Sequence, residues 1–217
     1  MNDSLEIIVV CHTIDTIYNP PYLYIIFDTI YLFSTITIKM RVGIVNMYSY
    51  RLRHYLPNAL ASIGCDITVV ESDDDYIDII KRSPITHWIF TGSDLDVMKK
   101  KSPVLDLEIL KMKNKHFLLI CYSMESVLHQ LGCHLIKRHN AMKGRFDLIM
   151  NGVKIEAYRN HYTYVVPESI KRGMQFLAIY KGDAMTVLYK NLMMTQWHPE
   201  ITEDGIRFLK KWLTSST

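Results

Sequence analysis

No run of like charge dominates this chain. Its 25 basic and 22 acidic residues leave a formal charge of +3, and the short stretches KMKNKH and KKKS read as solvated helix ends or loops. That excludes the electrostatic footprint of a nucleic-acid binder. Cysteine is sparse and irregularly placed: Cys11, Cys65, Cys121 and Cys133 form no CxxC pair, so neither a zinc knuckle nor a disulfide framework is implied. Reduced thiols and a cytoplasmic location are expected. His198 and Glu200 lack companions at ligand spacing, and His129 and His134 do not align on one helix face, so no metal is expected, and no other cofactor is implied. A long uninterrupted apolar run is missing as well. The run after Pro21 is broken by Asp28 and falls short of the roughly twenty residues a spanning helix needs, which argues against a membrane protein. The acidic start MNDSLE lacks the basic region of a signal peptide.

What is present is apolar mass and alternation. Apolar residues make up 49% of the chain, enough to build the core of one sizeable domain. Residues 1–39, rich in Ile, Thr, Tyr and Phe, differ in texture from the rest and read as an extension outside the domain 40–217. Three readings of this segment stay open: an untranslated upstream extension of the frame, an extra strand or docking segment, or a membrane anchor.

From Met40 the pattern alternates. A strand at 42–47 precedes a helix starting near Leu56, where Pro57 falls in the first turn, and Gly64 stops it. A strand at 66–70 leads to a second helix, SDDDYIDIIKR, with its acidic residues at the dipole's positive end. HWIFTG reads as the third strand, PVLDLEILKM as the third helix and HFLLI as the fourth strand, running into Cys121. This spacing predicts a doubly wound, mostly parallel sheet with helices on both faces. After Leu131 the runs VKIEAY, MQFLAIY, AMTVLY and LMMTQW predict antiparallel strands added to that sheet, and DGIRFLKKWL a closing helix.

Cys121 follows an all-apolar strand and precedes a helix expected near Ser123. That placement lowers a thiol pKa and supplies backbone N–H groups for an oxyanion, although a cysteine there also suits a plain core. In QWHPE, His198 and Glu200 are two apart, so on an extended backbone both side chains point the same way. A carboxylate so placed fixes the imidazole tautomer. A surface turn would read the same.

Taken together over residues 40–213, the opening MRVGIV, the loop FTGSDLDV, the elbow LLICYSMESVLHQLG, the mid-chain NHYTYVVPE and the late QWHPE resemble class I glutamine amidotransferases. The resemblance implies a flavodoxin-like fold and a Cys-His-Glu triad: Cys121 as nucleophile, His198 as base and then acid, Glu200 as orienter. It implies an oxyanion hole from the backbone N–H groups of Tyr122 and Ser93, and substrate contacts at Gly92, Glu125, Asn160 and His161. The implied substrate is glutamine or a related γ-glutamyl amide, with ammonia passed to a separate synthase subunit. A stand-alone γ-glutamyl hydrolase and an inactive binding homologue are the alternatives.

The elbow departs from the family's G-x-C-x-G-x-Q. Leu119 and Ser123 stand at the glycine positions, so either their side chains are accommodated or the elbow relaxes. Glu125 stands at the glutamine position, where a carboxylate would raise the thiol pKa and oppose a substrate carboxylate.

Overall fold

A computed structural model describes residues 39–49, 55–99 and 102–215, all within the unit Ile38–Thr217. The readings made for 1–38 lie outside the described residues. Among those described, no helix is long and apolar enough to cross a membrane, and no cluster of His, Cys, Asp and Glu could hold a metal ion.

Five strands run parallel in the main sheet: β1 (Arg41–Asn46), β2 (Asp66–Glu71), β3 (His87–Phe90), β4 (His116–Ile120) and β9 (Leu192–Thr195). β8 (Asp183–Tyr189) and β7 (Gln175–Tyr180) continue it antiparallel, giving the order β2-β1-β3-β4-β9-β8-β7. The central strands are apolar on both faces because helices cover both. On one side α1 (Tyr55–Ser62) and α4 (Glu203–Thr214) pack Leu60, Leu209 and Trp212 against Ile44, Ile89 and Leu118. On the other, α2 (Tyr76–Arg82) and α3 (Tyr122–Gln130) pack Ile80 and Val127 against Phe90 and Leu119.

Four expected elements differ. LMMTQW, expected among the antiparallel additions, supplies β9, which runs parallel to β4 and is antiparallel only to β8. The acidic run 72–75 forms a turn and a cap in place of the first turn of a helix: Asp74 accepts from the Glu71 N–H at 3.0 Å, and Asp75 caps α2. The stretch expected as a third helix shortens to the 3-10 turn Leu107–Lys111, capped by Asp106 accepting from the Glu108 N–H at 2.8 Å. Finally, VKIEAY does not join the main sheet. It opens β6 (Val153–Val165), which pairs antiparallel with β5 (Leu135–Met150) as a separate two-stranded sheet. This hairpin packs on the β7–β8 edge through Leu148, Ala157, Ala178, Met185 and Trp197. A two-stranded sheet needs such support to persist in water.

Gly43 in β1 lies beside Trp88 of β3, whose fully buried indole donates to the Ile85 carbonyl at 3.1 Å. A Cβ at position 43 would fall 2.2 Å from the indole ring, so only glycine fits without displacing it. Gly43→Ala is expected to lower stability by about 1–3 kcal/mol through overpacking. Chemical denaturation checks this, and an unchanged midpoint would mean that Trp88 repacks without cost.

Candidate active site

Parallel strands place their following loops at one edge of the sheet, and there β1, β3, β4 and β9 deliver the site. Cys121 occupies the turn from β4 into α3 with φ 51° and ψ −108°, a left-handed conformation for a side chain that disfavours it. Two backbone bonds hold it: its N–H donates to the Thr195 carbonyl at 2.6 Å, and its carbonyl accepts the Glu125 N–H at 3.0 Å. A strain of about 1–3 kcal/mol is typical for such a residue.

The residues at the missing glycine positions are accommodated. Leu119 is fully buried in the core on the α3 side. The buried Ser123 hydroxyl donates to the Thr91 carbonyl at 2.6 Å, so the added side chain also ties α3 to the end of β3. The elbow keeps its strained geometry without those glycines.

β9 ends four residues before Pro199, and the strand is fixed by Trp197, whose indole N–H donates to the Thr186 hydroxyl at 3.0 Å. The His198 N–H donates to the Tyr158 carbonyl of β6 at 2.7 Å, and the Tyr158 ring lies edge-on to the imidazole. Beyond it the chain does not stay extended as expected. His198 is extended, but Pro199–Ile201 is a 3-10 turn because proline's fixed φ suits the first position of a turn. That turn still brings Glu200 Oε1 to 2.9 Å from His198 Nδ1.

With Nδ1 engaged by the carboxylate, Nε2 is buried and has no hydrogen-bond partner among the described residues. Thiol and imidazole nevertheless perturb each other. Burial opposes charging His198, but Glu200 and Cys121 outweigh it and hold the imidazole pKa well above its ordinary value. For Cys121 burial dominates and raises the thiol pKa, against the opposing pull of His198 and the Tyr122 backbone N–H. Cys121 acts on His198 by its charge only as the thiolate, so the imidazolium is favoured once the Sγ proton has passed to it, with Glu200 and the thiolate on either side.

Gly92, in the loop after β3, approaches both groups. A Cβ there would sit 3.1 Å from His198 Cε1 and 3.5 Å from Cys121 Cβ. Next to it, Ser93 spends its hydroxyl on local backbone, donating to the Met47 carbonyl at 2.7 Å and accepting from the Leu95 N–H at 3.1 Å. A cavity of about 330 Å³ opens from Cys121 and is bounded by Ser93, Asp96, Tyr122, Glu125, Asn160 and His161. His161 Nδ1 lies 2.6 Å from the Thr163 carbonyl, which can only accept, so Nδ1 carries the proton. Burial lowers its pKa, and the buried Nε2 has no hydrogen-bond partner among the described residues.

All nine residues named from the sequence thus lie around one edge of the sheet. On the other side of His198 and Glu200 a recess of about 440 Å³ is lined by Tyr48, Lys143, Arg145 and Tyr158. A cavity of about 540 Å³ at His116, Met193 and Trp212 contains none of these nine residues. The sequence reading missed Gln196. It is fully buried, and its Nε2 donates to Glu125 Oε1 at 2.8 Å and lies 3.7 Å from Cys121 Sγ. QWHPE contained it, but only its histidine and glutamate had an assigned chemistry.

Fold and site together define an α/β protein with a cysteine elbow facing a histidine–carboxylate pair. The glutamine amidotransferase class-I family matches residues 44–214, and the chain belongs to that family. It is 26% identical to the GMP synthase [glutamine-hydrolyzing] of Aquifex aeolicus, over 63% of this chain and 33% of that protein. It is 27% identical to the enzyme of the same name from Acetivibrio thermocellus, over 70% of this chain and 32% of that protein. The chain therefore spans about a third of the length of these relatives. Among solved structures, PurLQS from Thermotoga maritima superposes with a TM-score of 0.64 at 17% identity, covering 81% of this chain and 98% of that one. That likeness shows the fold.

Because His198 opposes the burial that keeps Cys121 protonated, His198→Ala is expected to slow alkylation of Cys121 by iodoacetamide at pH 7 by about tenfold or more. Peptide mapping of alkylation rates checks this. An unchanged rate would show that the imidazole does not activate the thiol.

Proposed function

We propose that the chain hydrolyses the side-chain amide of glutamine, or a related γ-glutamyl amide, through a thioester on Cys121. The observation that carries this is the strained Cys121 at the α3 N-terminus beside the 2.9 Å His198–Glu200 pair. His198 takes the Sγ proton and the thiolate attacks the amide carbon. The carbon–nitrogen bond then breaks as the imidazolium returns its proton to the departing nitrogen, which leaves as ammonia. Water, deprotonated by His198, hydrolyses the thioester and releases the acid.

The backbone N–H groups of Tyr122 and Ser93 serve as the oxyanion hole, with the α3 dipole behind the first of them. Gly92 leaves room for the reacting carbonyl, and Glu125, Asn160 and the His161 Nε2 acceptor bind the polar end of the substrate. The named activity of the relatives, glutamine-hydrolysing GMP synthase, supports both the substrate and an ammonia acceptor of the synthase class. Residues 1–39 lie outside the catalytic domain, and the free Cys65, Cys121 and Cys133 suit the reducing cytoplasm.

Purified full-length protein is expected to release ammonia from glutamine, and Cys121→Ser to reduce that release to background. A coupled ammonia assay decides. Equal rates for the two proteins, or no release from the folded wild type with glutamine or γ-glutamyl amides, would overturn the proposal.

A further inference from the structure

Glu125 is one turn into α3 and only 5% exposed, and among the described residues no basic side chain hydrogen-bonds to it. Its partner is the carboxamide of Gln196, which donates from Nε2 at 2.8 Å while its own buried Oε1 has no hydrogen-bond partner among the described residues. A buried carboxylate facing a neutral amide is costly, whereas a carboxylic acid and a carboxamide match. The same Nε2 lies 3.7 Å from Cys121 Sγ, so one amide links the carboxyl to the nucleophile.

We propose that Glu125 and Gln196 form a buried acid–amide pair in which Glu125 is held as a neutral carboxylic acid, and that its ionisation suppresses thiolate formation at Cys121. Gln196 is a positioning residue: it acts on the reaction through Glu125. This deepens the glutaminase reading by making the active thiol depend on the state of a group absent from the triad.

The charged and titratable groups around Glu125 act in both directions, with burial outweighing the rest. From the loop after β3 come Asp94, Asp96 and Lys99, lining the cavity that Glu125 lines. Lys137 of β5 is committed to Asp96 by an ion pair. Burial lowers the pKa of His161 of β6, which favours its neutral form. Cys121 and Tyr122 flank the elbow, and His198 approaches from the end of β9. Burial is the largest influence on Glu125 and Asp96 adds to it. Gln196 and His198 oppose them, and the balance lifts the carboxyl from 4.5 to about 7. In return, the charge of Glu125 raises the Cys121 thiol pKa. Glu125 thus changes state near neutrality, and above that point its charge works against the thiolate.

The test compares Glu125→Gln with the full-length wild type, using iodoacetamide, a neutral probe that needs no glutamine site. The ratio of Cys121 alkylation rates, variant over wild type, is expected to be near one at low pH. It should rise through about pH 7 to a plateau of about tenfold, corresponding to one pKa unit at the thiol. A pH-independent ratio, or a rise centred near the ordinary carboxylate value, would overturn the proposal.

Thermal stability gives a second readout. A carboxyl with a raised folded-state pKa binds its proton more tightly folded than unfolded, so its contribution falls as pH rises from about 4.5 to about 7 and stays low above. The variant's advantage in Tm is expected to grow over that window and then level off, and a constant difference would count against the pair. Gln196→Leu removes a donor that favours the carboxylate and is expected to move the alkylation midpoint to higher pH. A purely structural Gln196 would lower Tm without moving that midpoint. Ammonia release is scored separately. If it is absent while the alkylation ratio rises through pH 7, the pair stands and the glutaminase reading falls.

Discussion

The 2.6 Å hydrogen bond from the Cys121 N–H to the Thr195 carbonyl joins the two halves of the site. It forms where β4 and β9 lie parallel, with Ile120 opposite Thr195, and it is the last link before both chains leave the sheet. One chain turns through a left-handed residue into α3. The other runs through Gln196 and Trp197 to His198. Because a single backbone bond closes that corner, the distance from thiol to imidazole is set by sheet register and needs no flexible side chain to maintain it. Preorganisation of this kind lets a weak nucleophile and a modest base act together.

Around that corner the chain replaces backbone freedom with hydrogen bonds. Ser123, at a position where the family carries glycine, reaches the Thr91 carbonyl, and the Thr91 hydroxyl in turn accepts the Met47 N–H at 2.9 Å. The ends of β1 and β3 and the start of α3 are thereby laced together behind Cys121. At the far side Thr202 caps α4 by accepting from the Gly205 N–H at 3.1 Å, and its hydroxyl donates to the Glu156 carbonyl of β6 at 2.8 Å. The hairpin that carries Tyr158, Asn160 and His161 is thus tied to the segment that carries His198 and Glu200.

The parts legible in the sequence are those where local pattern and tertiary role coincide. HFLLI could only be a buried strand, and the cysteine after it could be placed before any coordinates. β5 escaped notice because LIKRHNAMKGRFDLIM mixes charge and apolar residues in a hairpin with much exposed surface, so neither a core run nor clean alternation marks it. PVLDLEILKM has helical spacing, yet the proline and the Asp106 cap leave room only for one 3-10 turn before Lys115 is buried and spent on the Ser83 and Ile85 carbonyls. The pairing of Gln196 with Glu125 joins residues 71 positions apart and no local signal encodes it. Nor could the sequence show that Glu200 meets His198 through a turn.

The central claim is a covalent one, that Cys121 carries the glutamyl group while ammonia departs. Acid quenching during turnover with glutamine, followed by intact mass and peptide mapping, tests it most directly. A γ-glutamyl thioester on the peptide containing Cys121 is predicted. Ammonia release with no adduct on Cys121, or with an adduct confined to Cys65 or Cys133, would contradict the account.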